Sequence, residues 1–296
     1  DQIPMVSERK VNKEDNSIDV TLRYAEFDFI SHLNVKPEGK GFMITVTLDK
    51  PLPEKLAGRA GLNIEFLPTE YFGKTYQMDN TTGLFPIYPS SSMDVKPMTT
   101  QITQFSGHTT FDDHGRAEYV EPKPIAEGKS LTLAPEDPER KIRIQTSTGS
   151  LMLLDGRTVA QNGWYVVRTL IPSSQSGKVV EWTITPNTIP DWIRPPVIAH
   201  SQVGYYPDQE KVAVIELDKN DVPLKNASLL KLTDSGEWIE KFSGEVKPWG
   251  AYMRYNYARF DFSPVKESGI YVIKYGSQKT NPFQIGKQVF DNAWQQ

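Results

Sequence analysis

The chain has no cysteine, which excludes disulfides, thiolate catalysis and Cys-ligated metal sites together. No apolar run approaches the ~20 residues of a membrane-spanning helix. The opening Asp1-Gln2-Ile3-Pro4-Met5 lacks the charged-then-apolar pattern of an intact signal segment, although a mature exported protein reads the same way. Basic runs are missing as well: 33 Lys+Arg against 37 Asp+Glu leave a formal charge of -4, so nucleic acid and anionic membrane surfaces are disfavoured partners. Histidine is scarce, with four in 296 residues and no His-x-x-x-His pair to put two imidazoles on one helix face. Gly-rich phosphate loops and a Gly-x-Ser-x-Gly elbow are absent, and no cofactor is expected. Finally, 22 Pro and 20 Gly interrupt every window long enough for a helix except at the C-terminal tail.

What the chain does contain is alternation. Ile18, Val20, Leu22 and Tyr24, then Phe42, Ile44, Val46 and Leu48, Leu62, Ile64 and Phe66, and Val180, Trp182 and Ile184 each recur at period two. That spacing buries one face of an antiparallel strand and wets the other. Leu151 to Ala160 predicts a tight hairpin turning at Asp155-Gly156. Thr69 to Thr110, rich in Tyr, Pro, Ser and Thr, predicts a long loop region. The fold class is all-β.

Length places two domains in the chain, since one core is strained at 296 residues. The break falls at Thr185 to Pro196, where Pro186 is followed by three more prolines that withhold amide donors from any sheet. Residues 1–190 are expected to form a large β-sandwich of unassigned role. Residues 197–286 supply about seven short strands, the size of an immunoglobulin-like sandwich, read at 197–203, 211–217, 228–233, 237–242, 252–262, 270–275 and 283–285. Residues 287–296 are expected to begin a helix, because Ile285, Val289, Phe290, Ala293 and Trp294 recur at helical spacing and leave an apolar stripe with nothing downstream to bury it.

Residues that could carry chemistry are few. His108 and His114 flank Asp112 and Asp113, a pattern that fits a loop metal site or a polar surface loop, and no metal is assigned. Asp112, Asp113 and Glu118, or Asp79 and Glu70, could in principle pair as general acid and base, but adjacency in sequence supplies neither the separation nor the raised pKa that glycoside hydrolysis needs. Aromatics carry more information. Tyr71, Phe72 and Tyr76 crowd one segment, and Trp249, Tyr252, Tyr255 and Tyr257 crowd what reads as one strand. Flat rings serve either as cross-strand packing partners or as platforms for sugar rings; Tyr71, Phe72, Tyr76 and Tyr252 are the candidate carbohydrate contacts.

From residue 197 onward several short motifs follow one another in order: Ser201-Gln202-Val203-Gly204-Tyr205 with Pro207, Lys211 to Val214, Asp261-Phe262-Ser263, Gly269-Ile270-Tyr271, and Pro282-Phe283-Gln284-Ile285 with Val289-Phe290. Together they resemble the immunoglobulin-like module that precedes the catalytic domain in many family 9 glycoside hydrolases, the cellulase group; Ser201 stands where that family usually has Asn. The resemblance implies an exported parent enzyme that hydrolyses β-1,4-glycans by inversion in an (α/α) barrel, with this chain as its non-catalytic N-terminal part. The family's catalytic Asp pair and Glu map to no position here. The resemblance further implies that the partners are the chain's own catalytic domain and, through it, polysaccharide. Gln202, Tyr205, Trp249, Phe290 and Trp294 are the expected contacts with that domain. The runner-up is a stand-alone polysaccharide-binding protein.

Overall fold

A computed structural model describes residues 4–89, 92–97, 109–111, 113–115, 117–158 and 163–291. The chain divides into two units, Asp1–Ile189 and Pro190–Gln296. Both are built from antiparallel strands.

In the first unit a nine-stranded sheet runs in the order Met5–Asn12, Ser17–Tyr24, Phe29–Glu38, Gly41–Leu48, Gly177–Pro186, Ile142–Thr146, Ser130–Leu133, Thr75–Met78, Thr81–Leu84. A four-stranded sheet is ordered Ala126–Gly128, Leu151–Asp155, Tyr165–Leu170, Gly61–Phe66. Alternate residues of the two sheets, among them Leu131, Leu133, Ile144, Val180, Trp182 and Ile184 from the first and Leu151, Leu153, Tyr165 and Val167 from the second, form one buried cluster. Period two in the sequence thus becomes burial of one face per strand. Trp182 is fully buried and its indole N–H donates to Thr169 Oγ1 at 3.0 Å, so its polar atom is satisfied inside the core.

Two sequence expectations change here. Leu151–Asp155 and Tyr165–Leu170 do pair, but Asp155 sits opposite Tyr165, so the connection is longer than a two-residue turn at Asp155-Gly156. The reason is the Asp155 side chain: it is fully buried and binds the Arg157 guanidinium at 2.7 and 2.8 Å, which holds Gly156–Thr158 in a short 3-10 turn. The expected loop from Thr69 to Thr110 also contains strands at Thr75–Met78, Thr81–Leu84, Met93–Pro97 and Thr109–Phe111.

The second unit follows the strand order Val197–Ala199, Val212–Asp218, Tyr255–Asp261, Trp238–Tyr252, Asn226–Leu232, Gly269–Tyr275, Gln278–Lys279, with Phe283–Ile285 pairing the start of Gly269–Tyr275. Trp238–Tyr252 is long enough to serve both layers. Its first half pairs with Asn226–Leu232 and its second half with Tyr255–Asp261. Ala213, Ile215, Leu217, Leu229, Ala258, Phe260, Phe262, Tyr271 and Ile273 close the core between them. The strand expected at 252–262 begins at Tyr255, because Tyr252 belongs to the preceding strand and pairs with Tyr255 across a tight turn at Met253-Arg254. Nothing in Met253-Arg254 announces a turn, and Met253 takes it with φ of +52°. At the C-terminal end residues 287–291 form turns, with Asp291 N–H donating to the Gln288 carbonyl at 3.1 Å; the rest of the segment expected to lead into a helix, with Ala293 and Trp294, lies outside the described residues.

Candidate functional site

The motifs of the second unit, dispersed between residues 201 and 285 in sequence, converge at one end of the sandwich. Gly204 has φ of +107°, and a Cβ there would lie 2.3 Å from the Gln284 carbonyl oxygen. Only glycine fits that approach. It lets Tyr205 donate its N–H to Gln284 at 2.9 Å and accept the N–H of Gly286 at 3.0 Å, joining the start of the module to its exit strand. The Tyr205 ring then packs edge-on against Phe262 and Phe283, with centroids 5.1 and 5.5 Å away, and its hydroxyl accepts the Ser201 N–H at 2.9 Å. Lys211 is fully buried. Its ammonium donates to the carbonyls of Pro207 at 2.6 Å and Gln209 at 2.9 Å, while its backbone N–H donates to Ser263 Oγ. Burial pushes its pKa down. Tyr271 is fully buried and donates its hydroxyl to the Glu267 carbonyl, four residues upstream, in the manner of a tyrosine corner; burial pushes its pKa up to about 12. These residues hold the fold together. None presents a reactive group to solvent.

The residues expected to meet a catalytic domain therefore separate. Tyr205 is 4% exposed and is part of its own core, while Gln202 and Phe290 are exposed and Trp294 is outside the described residues. Phe290 shares its end of the sandwich with exposed Val203 and Tyr206, because the Gly204 turn lies against Val289.

The candidate carbohydrate contacts separate in the same way. Tyr71 and Tyr76 are buried, with hydroxyls turned to the carbonyls of Arg140 and Ile125, so neither ring face is open to a sugar. Phe72 is partly exposed but has the Arg157 guanidinium over its ring at 5.2 Å. Of the candidate carboxylates, Glu70 is ion-paired with Arg140, and Asp79 accepts the backbone N–H groups of Lys129 and Ser130. His108 and Asp112 lie outside the described residues, among which no cluster fit to hold a metal ion occurs.

Tyr252 belongs to an exposed groove of the second unit. The outward face of Val212–Asp218, Tyr255–Asp261 and the end of Trp238–Tyr252 bears a groove of about 380 Å³ lined by Val214, Trp249, Tyr252, Tyr257 and Arg259. Register explains the grouping: Val214 pairs with Arg259, Arg259 with Lys247, and Tyr257 with Gly250. A β-bulge between Pro248 and Gly250 inserts Trp249, which is 57% exposed and stands perpendicular to Tyr257 at 6.2 Å. Tyr257 is fixed in turn by donating to Glu216 at 2.9 Å, and Glu216 also binds Arg194, whose guanidinium lies over Tyr255. The grouping escapes a reading by strand because it is assembled from two strands of a hairpin and their neighbour.

The second unit is an immunoglobulin-like sandwich. Residues 194–280 match the cellulase N-terminal ig-like domain family. No curated protein matches the chain. Among solved structures, a metagenome-derived glycoside hydrolase family 9 endoglucanase aligns at 24% identity over 31% of this chain and 18% of its own, with a TM-score of 0.26. Bacteroides ovatus GH9 aligns at 30% identity over 32% of this chain and 16% of its own, again with a TM-score of 0.26. The chain thus spans less than a fifth of the length of either. No helix among the described residues is long and apolar enough to cross a membrane.

Proposed function

We infer that this chain is the non-catalytic N-terminal region of an exported family 9 glycoside hydrolase, whose (α/α) barrel cleaves β-1,4-glycans with inversion. The observation that carries this reading is the match of residues 194–280 to the cellulase N-terminal ig-like domain. The role of the module is mechanical. It shields one flank of the barrel from water and so keeps the loops around the glycan aligned. Gln202 and Phe290, with Val203 and Tyr206 beside them, are the exposed side chains at the end from which the chain leaves the sandwich, and they form the contact. An apolar cluster left open at a domain exit is where a following domain gains most by docking.

The test is expression of the whole reading frame, followed by proton NMR of cello-oligosaccharide hydrolysis. Inversion releases the α-anomer first, and Phe290→Ala lowers the melting temperature of the barrel without altering that stereochemistry. Release of the β-anomer, or no hydrolysis by the longer protein, overturns the reading.

A further inference from the structure

We propose that the groove of Val214, Trp249, Tyr252, Tyr257 and Arg259 is a binding site for a glycan bearing carboxylates, such as a chain containing uronic acids. The outward face of a sandwich strand is ordinarily polar, yet here Trp249 and Tyr252, 57% and 58% exposed, both line a concavity. Its volume falls within the ~300–1,000 Å³ range of small-ligand sites. Trp249 and Tyr257 meet at right angles, and the 57% exposure of Trp249 leaves indole surface to stack on the apolar C–H face of a pyranose. The polar groups at the rim are unspent: among the described residues neither the Trp249 indole N–H, the Tyr252 hydroxyl nor the Arg259 guanidinium makes a hydrogen bond. Each of the three can donate to sugar oxygens.

Charge selects the ligand. Arg259 and Lys247 are direct cross-strand partners on this face, both exposed, and neither forms an ion pair among the described residues. Like charges placed opposite each other on a sheet are unfavourable, and a carboxylate between them relieves the repulsion. Of the neighbouring carboxylates, Glu216 is engaged away from Arg259, shared by Arg194 and Tyr257, while Asp261 accepts the Ser263 N–H at 2.9 Å and also interacts electrostatically with Lys247. The groove therefore offers the Arg259 guanidinium to an incoming anion, with Lys247 beside it, although the chain as a whole carries -4.

Affinity gel electrophoresis of the full 296-residue chain tests this. Carboxymethylcellulose and hydroxyethylcellulose share a β-1,4-glucan backbone, chosen on the reading above, and differ in charge; polygalacturonate is acidic without that backbone. Retardation is expected in carboxymethylcellulose and little in hydroxyethylcellulose. Trp249→Ala should weaken it about tenfold, equivalent to the ~1.4 kcal/mol of one stacked ring, and Arg259→Gln should abolish the preference for the acidic polymer. Both side chains are exposed, so unchanged melting temperatures verify that the variants fold. Retardation by polygalacturonate alone keeps the groove as an acidic-glycan site and counts against the β-1,4-glucan reading. No retardation in any gel overturns the site. Retardation that survives Trp249→Ala unchanged reduces it to charge adhesion and also overturns it. Absence of binding together with loss of Trp249 quenching by iodide in the longer protein assigns this face to a protein contact and overturns it too.

Discussion

Replacing Gly204 by alanine isolates the joint between the start of the immunoglobulin-like module and its exit strand. Two penalties add. The backbone at φ of +107° disfavours any L side chain, at a cost of about 1–3 kcal/mol. The new Cβ would also meet the Gln284 carbonyl oxygen at 2.3 Å and Val289 Cγ2 at 2.6 Å. The valine methyl can rotate away, but the carbonyl is backbone, and moving it strains the two hydrogen bonds between Tyr205 and residues 284 and 286. Overpacking of that kind costs about 1–3 kcal/mol more. The total, roughly 4 kcal/mol, corresponds to ~15–30 °C in the melting of a unit this size. Gly236→Ala is the control: φ is +84°, yet nothing lies within 4 Å of its Cβ, so it reports the backbone penalty alone. Differential scanning calorimetry of both variants should show the transition of the second unit falling about 1–3 kcal/mol further for Gly204→Ala, with the transition of the first unit unmoved. If the two substitutions cost the same, the close approach at Gln284 is not what holds the joint.

Tyr271 gives an alkaline prediction. Its pKa is raised from 10.0 to about 12 because burial opposes the phenolate. Its stabilising contribution is complete below pH 10 and is lost as pH rises through 12, up to about 2.7 kcal/mol for a shift of two units. Tyr271→Phe should cost about 1 kcal/mol near pH 7 through the lost bond to Glu267, yet flatten the fall above pH 10 in urea titrations; an unchanged slope contradicts the assignment. In the first unit Asp137 is held below the ordinary carboxylate range, first by its hydrogen bond to Lys74. Its contribution is present above pH 3.8 and is lost as pH falls through the lowered folded-state value, so Asp137→Asn should lower stability at pH 7 and make it less sensitive to acid. Met253 has φ of +52° with its side chain in solvent, and Met253→Asn should raise stability by about 0.5 kcal/mol, since asparagine tolerates that region better.

Strands at period two were legible in the sequence because burial acts on every second side chain, and Ile18 to Tyr24, Phe42 to Leu48 and Val180 to Ile184 all fall on strands. Tyr71 and Tyr76 were misleading for a local reason. Their neighbourhood is rich in turn residues, but each hydroxyl finds a carbonyl supplied by a distant strand connection, which makes burial possible. Trp249 and Tyr252 were separable from Tyr255 and Tyr257 only through a turn at Met253-Arg254 that carries no glycine or asparagine. The motifs between Ser201 and Ile285 were visible as a pattern, but their purpose was not. Only the fold shows Lys211 capping two carbonyls and Tyr205 lying between Phe262 and Phe283.

The central claim, that this chain supports catalysis without performing it, is tested most directly by a reducing-sugar assay of the purified 296-residue chain on cello-oligosaccharides and soluble β-glucans. The account predicts no turnover above the buffer rate at any pH. Reproducible turnover by the chain alone would contradict it.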